Sequence, residues 1–119
     1  MSLRDTLDRL LGRTDPSSLP STIDGPTAVR LVRDGAGLLD VRERTEWSTG
    51  HAPQAVHVPL SDVSVAPRRL PKDAPVVVMC ASGMRSRIAA KQLRGLGLQA
   101  TSLSGGIGAW QAAGGAVRR

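Results

Sequence analysis

Cys80 is the only cysteine in this chain of 119 residues, and it stands where a sulfur could be activated. It follows Val76-Val77-Val78-Met79, an apolar run with three β-branched residues that reads as a buried strand. After it comes the loop Ala81-Ser82-Gly83-Met84-Arg85-Ser86-Arg87, and then a helical pattern from Ile88 to Arg94 that puts Ala89, Leu93 and Leu96 on one face. In an open α/β sheet, ligands bind beyond the carboxyl ends of the strands, beside the N-terminus of the next helix. The successive amides of such a loop converge on an anion, and the helix dipole adds to their field. A cysteine held there favours its thiolate, and Arg85 and Arg87 act in the same direction. Most free cysteines are buried and inert. Gly83, which lets backbone approach a ligand, and two cations within reach of the sulfur would do nothing for such a residue.

The elements that must position this loop can be read along the chain. Leu3, Leu7, Leu10 and Leu11 form one stripe of a short amphipathic helix over residues 2–12, which packing or dimerisation would use, and residues 13–21 read as a linker. The compact domain is expected from Thr22 onward, over residues 22–119, with Thr22 and Ile23 as a short edge strand. Pro26 opens a helix that Asp34-Gly35 stops. Gly37 to Val41 is a buried strand with the carboxylate of Asp40 at its end, Glu43 to Ser48 a short helix closed by Gly50, and Ala55 to Val58 a strand. Ser61 to Leu70 reads as one or two short helical turns interrupted by Pro67. A strand over Gln99 to Leu103 and a last helix with Ile107 and Trp110, opened by Gly105-Gly106, complete the series. Strand alternating with helix argues an α/β fold with a parallel sheet covered on both faces.

Composition narrows the function. Sixteen basic against ten acidic residues leave a net charge of +6, but the arginines are scattered and only two aromatic residues are present, so no stacking platform for nucleic acid accompanies them. An anionic small substrate accounts for the charge as well. A lone cysteine makes no internal disulfide, and no run has the length or apolarity of a membrane span or a signal-peptide core, so a cytoplasmic location without membrane attachment is the expectation. Two histidines and one cysteine in no zinc-like spacing point to no metal and no cofactor.

Three stretches resemble the rhodanese domain, in that family's order and over about residues 22 to 115: Leu39-Asp40-Val41-Arg42-Glu43 with Glu46-Trp47 and Gly50-His51, the Cys80–Ser86 loop, and Ser104-Gly105-Gly106-Ile107-Gly108-Ala109-Trp110. The resemblance implies a three-layer α/β sandwich around a mostly parallel sheet, and a sulfurtransferase activity. Cys80 would attack the sulfane sulfur of a donor and carry it as a persulfide to cyanide or a thiol. The amides of Ala81, Ser82, Gly83, Met84, Arg85 and Ser86 would cradle that sulfur, and the Arg85 side chain would bind the donor's charge. Asp40 and Arg42 would hold the loop and the neighbouring helix rather than react. The sequence departs from the family's usual pattern at Ala52-Pro53-Gln54, where a bulky aliphatic and Pro-Gly are more common.

Related phosphatases and arsenate reductases use a loop one residue longer, which encloses a tetrahedral oxyanion. Here four residues separate Cys80 from Arg85, and no Asp or Glu in the loop or the following helix could act as general acid. With no second thiol in the chain, a persulfide on Cys80 must discharge to an external acceptor, either a small molecule or a relay protein. A mercaptopyruvate donor, a persulfide relay and a scaffold module are the remaining alternatives, as are a monomer or a homodimer. His51, Glu46 and His57 read as structural, and Trp110 as the anchor of the last helix.

Overall fold

The computed structural model of the protein describes Leu3 and residues 19–119. The expected N-terminal helix over residues 2–12 and most of the linker lie outside the described residues. In chain order the elements are β1 (Thr22–Ile23), α1 (Gly25–Arg33), β2 (Gly37–Asp40), α2 (Arg44–Thr49), β3 (Val56–His57), a 3-10 stretch (Leu60–Arg69), β4 (Val76–Met79), α3 (Met84–Gly95), β5 (Ala100–Leu103) and α4 (Gly106–Ala112). The five strands form one sheet in the order β1-β5-β4-β2-β3, and every pairing between them is parallel. The antiparallel contribution is an isolated bridge between His51 and Arg118.

The sheet is buried on both faces, as parallel sheets are. Alternate residues of β4 divide between two cores. Val76, Val78 and Cys80 pack with Ala89, Ala90 and Leu93 of α3 and with Val63 and Ala66 of the 3-10 stretch. Val77 and Met79 pack on the other side with Ala28 and Leu31 of α1 and with Trp110 of α4. Trp110 is buried as expected, its indole N–H donating to Ala116 O at 2.8 Å. Truncating it to alanine would cost about 3–5 kcal/mol. Asp24 caps α1 by accepting the Thr27 amide at 2.9 Å, with Pro26 in the first turn.

Two local expectations differ. Pro67 does not interrupt its segment: the 3-10 stretch runs unbroken through it, with Val63 and Ala66 facing the core. Leu96 leaves the apolar face of α3, because the helix ends at Gly95 and Leu96 is its exposed C-cap residue; Leu98 packs against the core instead. Leu19 is buried and Ser21 O accepts the Ser102 amide at 2.9 Å, so contact with β5 begins just before β1. No helix among the described residues is long and apolar enough to cross a membrane.

Candidate active site

The chain reverses its direction of travel across the sheet at β4: β2 leads outward to β3 on one side, and β4 leads to β5 on the other. Cys80 is the first residue after β4, at the carboxyl edge of this switch point. The loop turns at Gly83, whose φ of 120° suits glycine and which caps α3. From below, the Ile107 amide donates to Cys80 O at 3.0 Å. Gly106, with φ 62°, lies so close that a Cβ there would collide with the carbonyls of Cys80 and Ala81. The Gly-Gly pair therefore lets α4 seat directly against the loop.

Within this cradle the sulfur accepts the amides of Gly83 at 3.0 Å and Ser86 at 3.4 Å, and it lies 3.6 Å from Ser86 Oγ. Burial pushes the thiol up, but the Ser86 hydroxyl and the amides of Ser86, Gly83 and Ser82 outweigh it, so Cys80 ionises below its ordinary value. Of the loop amides expected to serve the sulfur, those of Gly83 and Ser86 stand at hydrogen-bond distance from it. Ala81, Ser82 and Met84 are exposed on the rim of the cradle, whereas Gly83 and Ser86 are buried beneath it.

Arg85 is engaged elsewhere. Its two terminal nitrogens bond the two carboxylate oxygens of Glu46 at 2.7 and 2.8 Å, in a partly exposed bidentate pair. The Arg85 hydrogen bonds hold the Glu46 carboxyl down to about 2, and Glu46 in turn raises the guanidinium. Glu46 also accepts the Glu43 amide, completing a capping box at the start of α2. The helix-end role of Glu46 was legible in the sequence; its partner was not, since 39 residues separate the two. Arg87 is exposed, with its guanidinium turned back towards Gly83.

Asp40 and Arg42 do not touch the sulfur. Arg42 is buried, and its Nε lies 3.0 Å from both Asp40 oxygens while Nη2 bonds Asp40 at 2.8 Å. The same guanidinium donates to Gly50 O at 2.7 Å and Glu46 O at 3.3 Å. The pair thus ties the end of β2 to both ends of α2, the helix that carries Glu46. The Trp47 ring stacks on His51 at 3.7 Å and on His57 at 4.6 Å. His51 Nδ1 donates to Trp47 O and His57 Nε2 to Arg42 O, so both histidines brace this edge of the site. No cluster of His, Cys, Asp and Glu that could hold a metal ion stands among the described residues.

Comparison with known proteins agrees with this geometry. The profile of the rhodanese-like domain matches residues 25–113. YtwF of Bacillus subtilis (strain 168), named as a sulfurtransferase, is 40% identical over 74 residues, covering 62% of this chain and 72% of its own. Among solved structures, a rhodanese-related protein of Thermoplasma volcanium superposes with a TM-score of 0.72 at 29% identity, over 83% of this chain and 98% of its own. A thiosulfate sulfurtransferase of Pseudomonas aeruginosa gives 0.73 at 30% identity, over 82% of this chain but 19% of that longer one. With a parallel sandwich, a cysteine cradle at its switch point and a family match across most of its length, the chain belongs to the rhodanese-like domain family, whose chemistry is cysteine-based sulfur transfer.

Proposed function

We propose that the protein is a thiosulfate-type sulfurtransferase working through a persulfide on Cys80, with residues 22–119 as the unit that carries the chemistry. The observation that carries this reading is the cradle of amides around a single sulfur atom, which favours the thiolate, in a short loop with four residues between Cys80 and Arg85. The Cys80 thiolate attacks the outer sulfur of thiosulfate; the donor S–S bond breaks and sulfite leaves with its electron pair. The outer sulfur, now an anionic persulfide, stays within reach of the loop amides. Cyanide or a thiolate then attacks it, the Cys80 S–S bond breaks, and the cysteine thiolate returns. No oxidant, metal or cofactor is consumed in either half. The net charge of +6 favours an anionic donor, and a cytoplasmic location suits a free thiol.

Glu46 bears on the phosphatase alternative. It is the carboxylate beside the loop, yet a group held near pKa 2 carries no proton to give a leaving group at neutral pH. A relay to a protein thiol has its own support. Met84 and Ile88 are exposed large apolar residues on α3, next to the loop, and Arg87 and Lys91 share that exposed side of a helix containing no acidic residue. Such a surface suits an acidic protein presenting the acceptor thiol.

Intact-mass spectrometry after incubation with thiosulfate tests the mechanism. The wild type should gain one sulfur atom and lose it to cyanide, while Cys80→Ser should gain none and keep its circular-dichroism spectrum. Turnover by Cys80→Ser at the wild-type rate would overturn the assignment, and no mass gain in the wild type would remove thiosulfate as donor.

A further inference from the structure

Beneath the loop lies a pair of hydroxyls that the reaction above leaves unused. Ser86, in the first turn of α3, and Ser102, in the middle of β5, are both fully buried, and their oxygens are 2.7 Å apart. Ser102 pairs with Val78 in the register of β4 and β5, so its side chain emerges on the same face of the sheet as Cys80. Ser86 Oγ also lies 3.0 Å from Gly83 O and 3.6 Å from Cys80 Sγ.

Counting protons gives this pair a direction. Ser86 has one hydroxyl proton and two acceptors facing it, the Gly83 carbonyl and the sulfur. For Ser102, Ser86 Oγ is the hydrogen-bond partner of its side chain among the described residues. If Ser86 donated to Ser102, the Ser102 proton would be left in an apolar interior, at the cost of an unsatisfied buried donor. Ser102 is therefore the donor, and Ser86 the acceptor, at that contact. This leaves the Ser86 proton free to point at Gly83 O when Cys80 is a thiol and at the sulfur when it is an anion.

We propose that Ser102 is a positioning residue for sulfur transfer: its hydroxyl holds Ser86 Oγ in place and polarises it as a hydrogen-bond donor to the Cys80 sulfur, thiolate and persulfide alike. A hydroxyl that already accepts a hydrogen bond donates a stronger one, and the effect grows where the surroundings are dry. The contact also fixes the side-chain rotor of Ser86, which would otherwise be held by Gly83 O alone. This proposal rests on Cys80 being the sulfur carrier, but its first readout does not depend on any sulfur donor.

The test follows the rate of Cys80 alkylation by iodoacetamide from about pH 5 to about pH 10 in the intact protein, for wild type, Ser102→Ala, Ser86→Ala and the double variant. The charged groups around the loop are Arg85 and Arg87 from α3, Glu46 from α2 with Glu43 just before it, and the Asp40–Arg42 pair at the end of β2, and all remain in every variant; α4 contributes none. Ser102→Ala should move the profile to higher pH and slow alkylation below its midpoint by about two- to threefold, the share expected of one link in a charge-assisted chain. Ser86→Ala should have the larger effect, and adding Ser102→Ala to it should change nothing further. Ser102→Thr, which keeps the hydroxyl and suits a strand, should restore the wild-type profile. An unchanged profile in Ser102→Ala, or two effects that simply add, would overturn the proposal. Should Ser102→Ala fail to fold, failure of Ser102→Thr to match wild type would overturn it instead. Thiosulfate turnover measured alongside separates the two readings: normal alkylation shifts without turnover would remove the donor and leave the role of Ser102 standing.

Discussion

At Cys80 two opposing effects meet. Covering a thiol raises its pKa, and hydrogen bonds to the anion lower it; here the bonds win. The neighbouring pair Arg85–Glu46 poses a similar contest for the donor, because an anion reaching for Arg85 must compete with a carboxylate already bound at both nitrogens. Arg85→Ala should therefore raise KM for thiosulfate, and Glu46→Gln, which releases Arg85, should lower it, with kcat moving less in both; initial rates over donor concentration check this. The same pair contributes to stability. Because the Glu46 carboxyl is depressed from 4.5 to about 2, its contribution is complete above its unfolded value and lost as pH falls towards 2. The pair is one-third exposed, so about 1 kcal/mol is at stake, and acid unfolding of Glu46→Gln should lack that part of the pH dependence. Thr101 offers a separate test. Its hydroxyl is buried in β5 without a hydrogen-bond partner, so Thr101→Val should stabilise the fold by about 1 kcal/mol and raise Tm by a few degrees. Cys80 and Gly83 were legible in the sequence because strand, glycine loop and helix follow one another locally. Ser102 was not, since a serine in a strand is unremarkable until the register shows which residue it faces.

Elements were easier to read than their contacts. The apolar run Val76–Met79 marked β4, which is buried on both faces; β2 and β5 are as buried but include Asp40 and the polar pair Thr101-Ser102, and glycine or proline bounded most helices. Exceptions came where an element ends or changes type. Leu96 continued the apolar spacing of α3 one residue beyond its last turn, and Pro67 was accommodated within a 3-10 segment that continues through it to Arg69. The close approach of α4 to the loop belongs to this scale as well. Gly106→Ala would push a methyl group into the Cys80 and Ala81 carbonyls and force a positive φ on alanine, so it should displace the loop. We expect sulfur transfer to fall at least tenfold at temperatures where circular dichroism still shows a folded protein, about the loss that a misplacement on the ångström scale brings.

Over the whole molecule, five parallel strands put every strand's carboxyl end on one edge, and β4, in the middle of the sheet, delivers Cys80 to the centre of that edge. The excess of positive charge adds a long-range pull on anionic donors. Since the screening length falls from about 30 Å to about 8 Å between 0.01 M and physiological salt, KM for thiosulfate should rise over that range, as a salt series of initial rates would show. The parallel topology also makes the site depend on residues distant in sequence: β4 is flanked by β2 and β5, and Cys80 O is held by Ile107. This sets an order of events during synthesis. When Cys80 leaves the ribosome, Ser102 and Ile107 are still enclosed in the exit tunnel, so the loop has no floor and the thiol keeps its ordinary, sluggish reactivity. Activation arrives only with β5 and the first turn of α4, about a quarter of the chain later. A nascent or truncated chain therefore carries an inert cysteine through the interval in which it could react with the wrong partner, and the sulfur becomes nucleophilic only once the fold around it has closed.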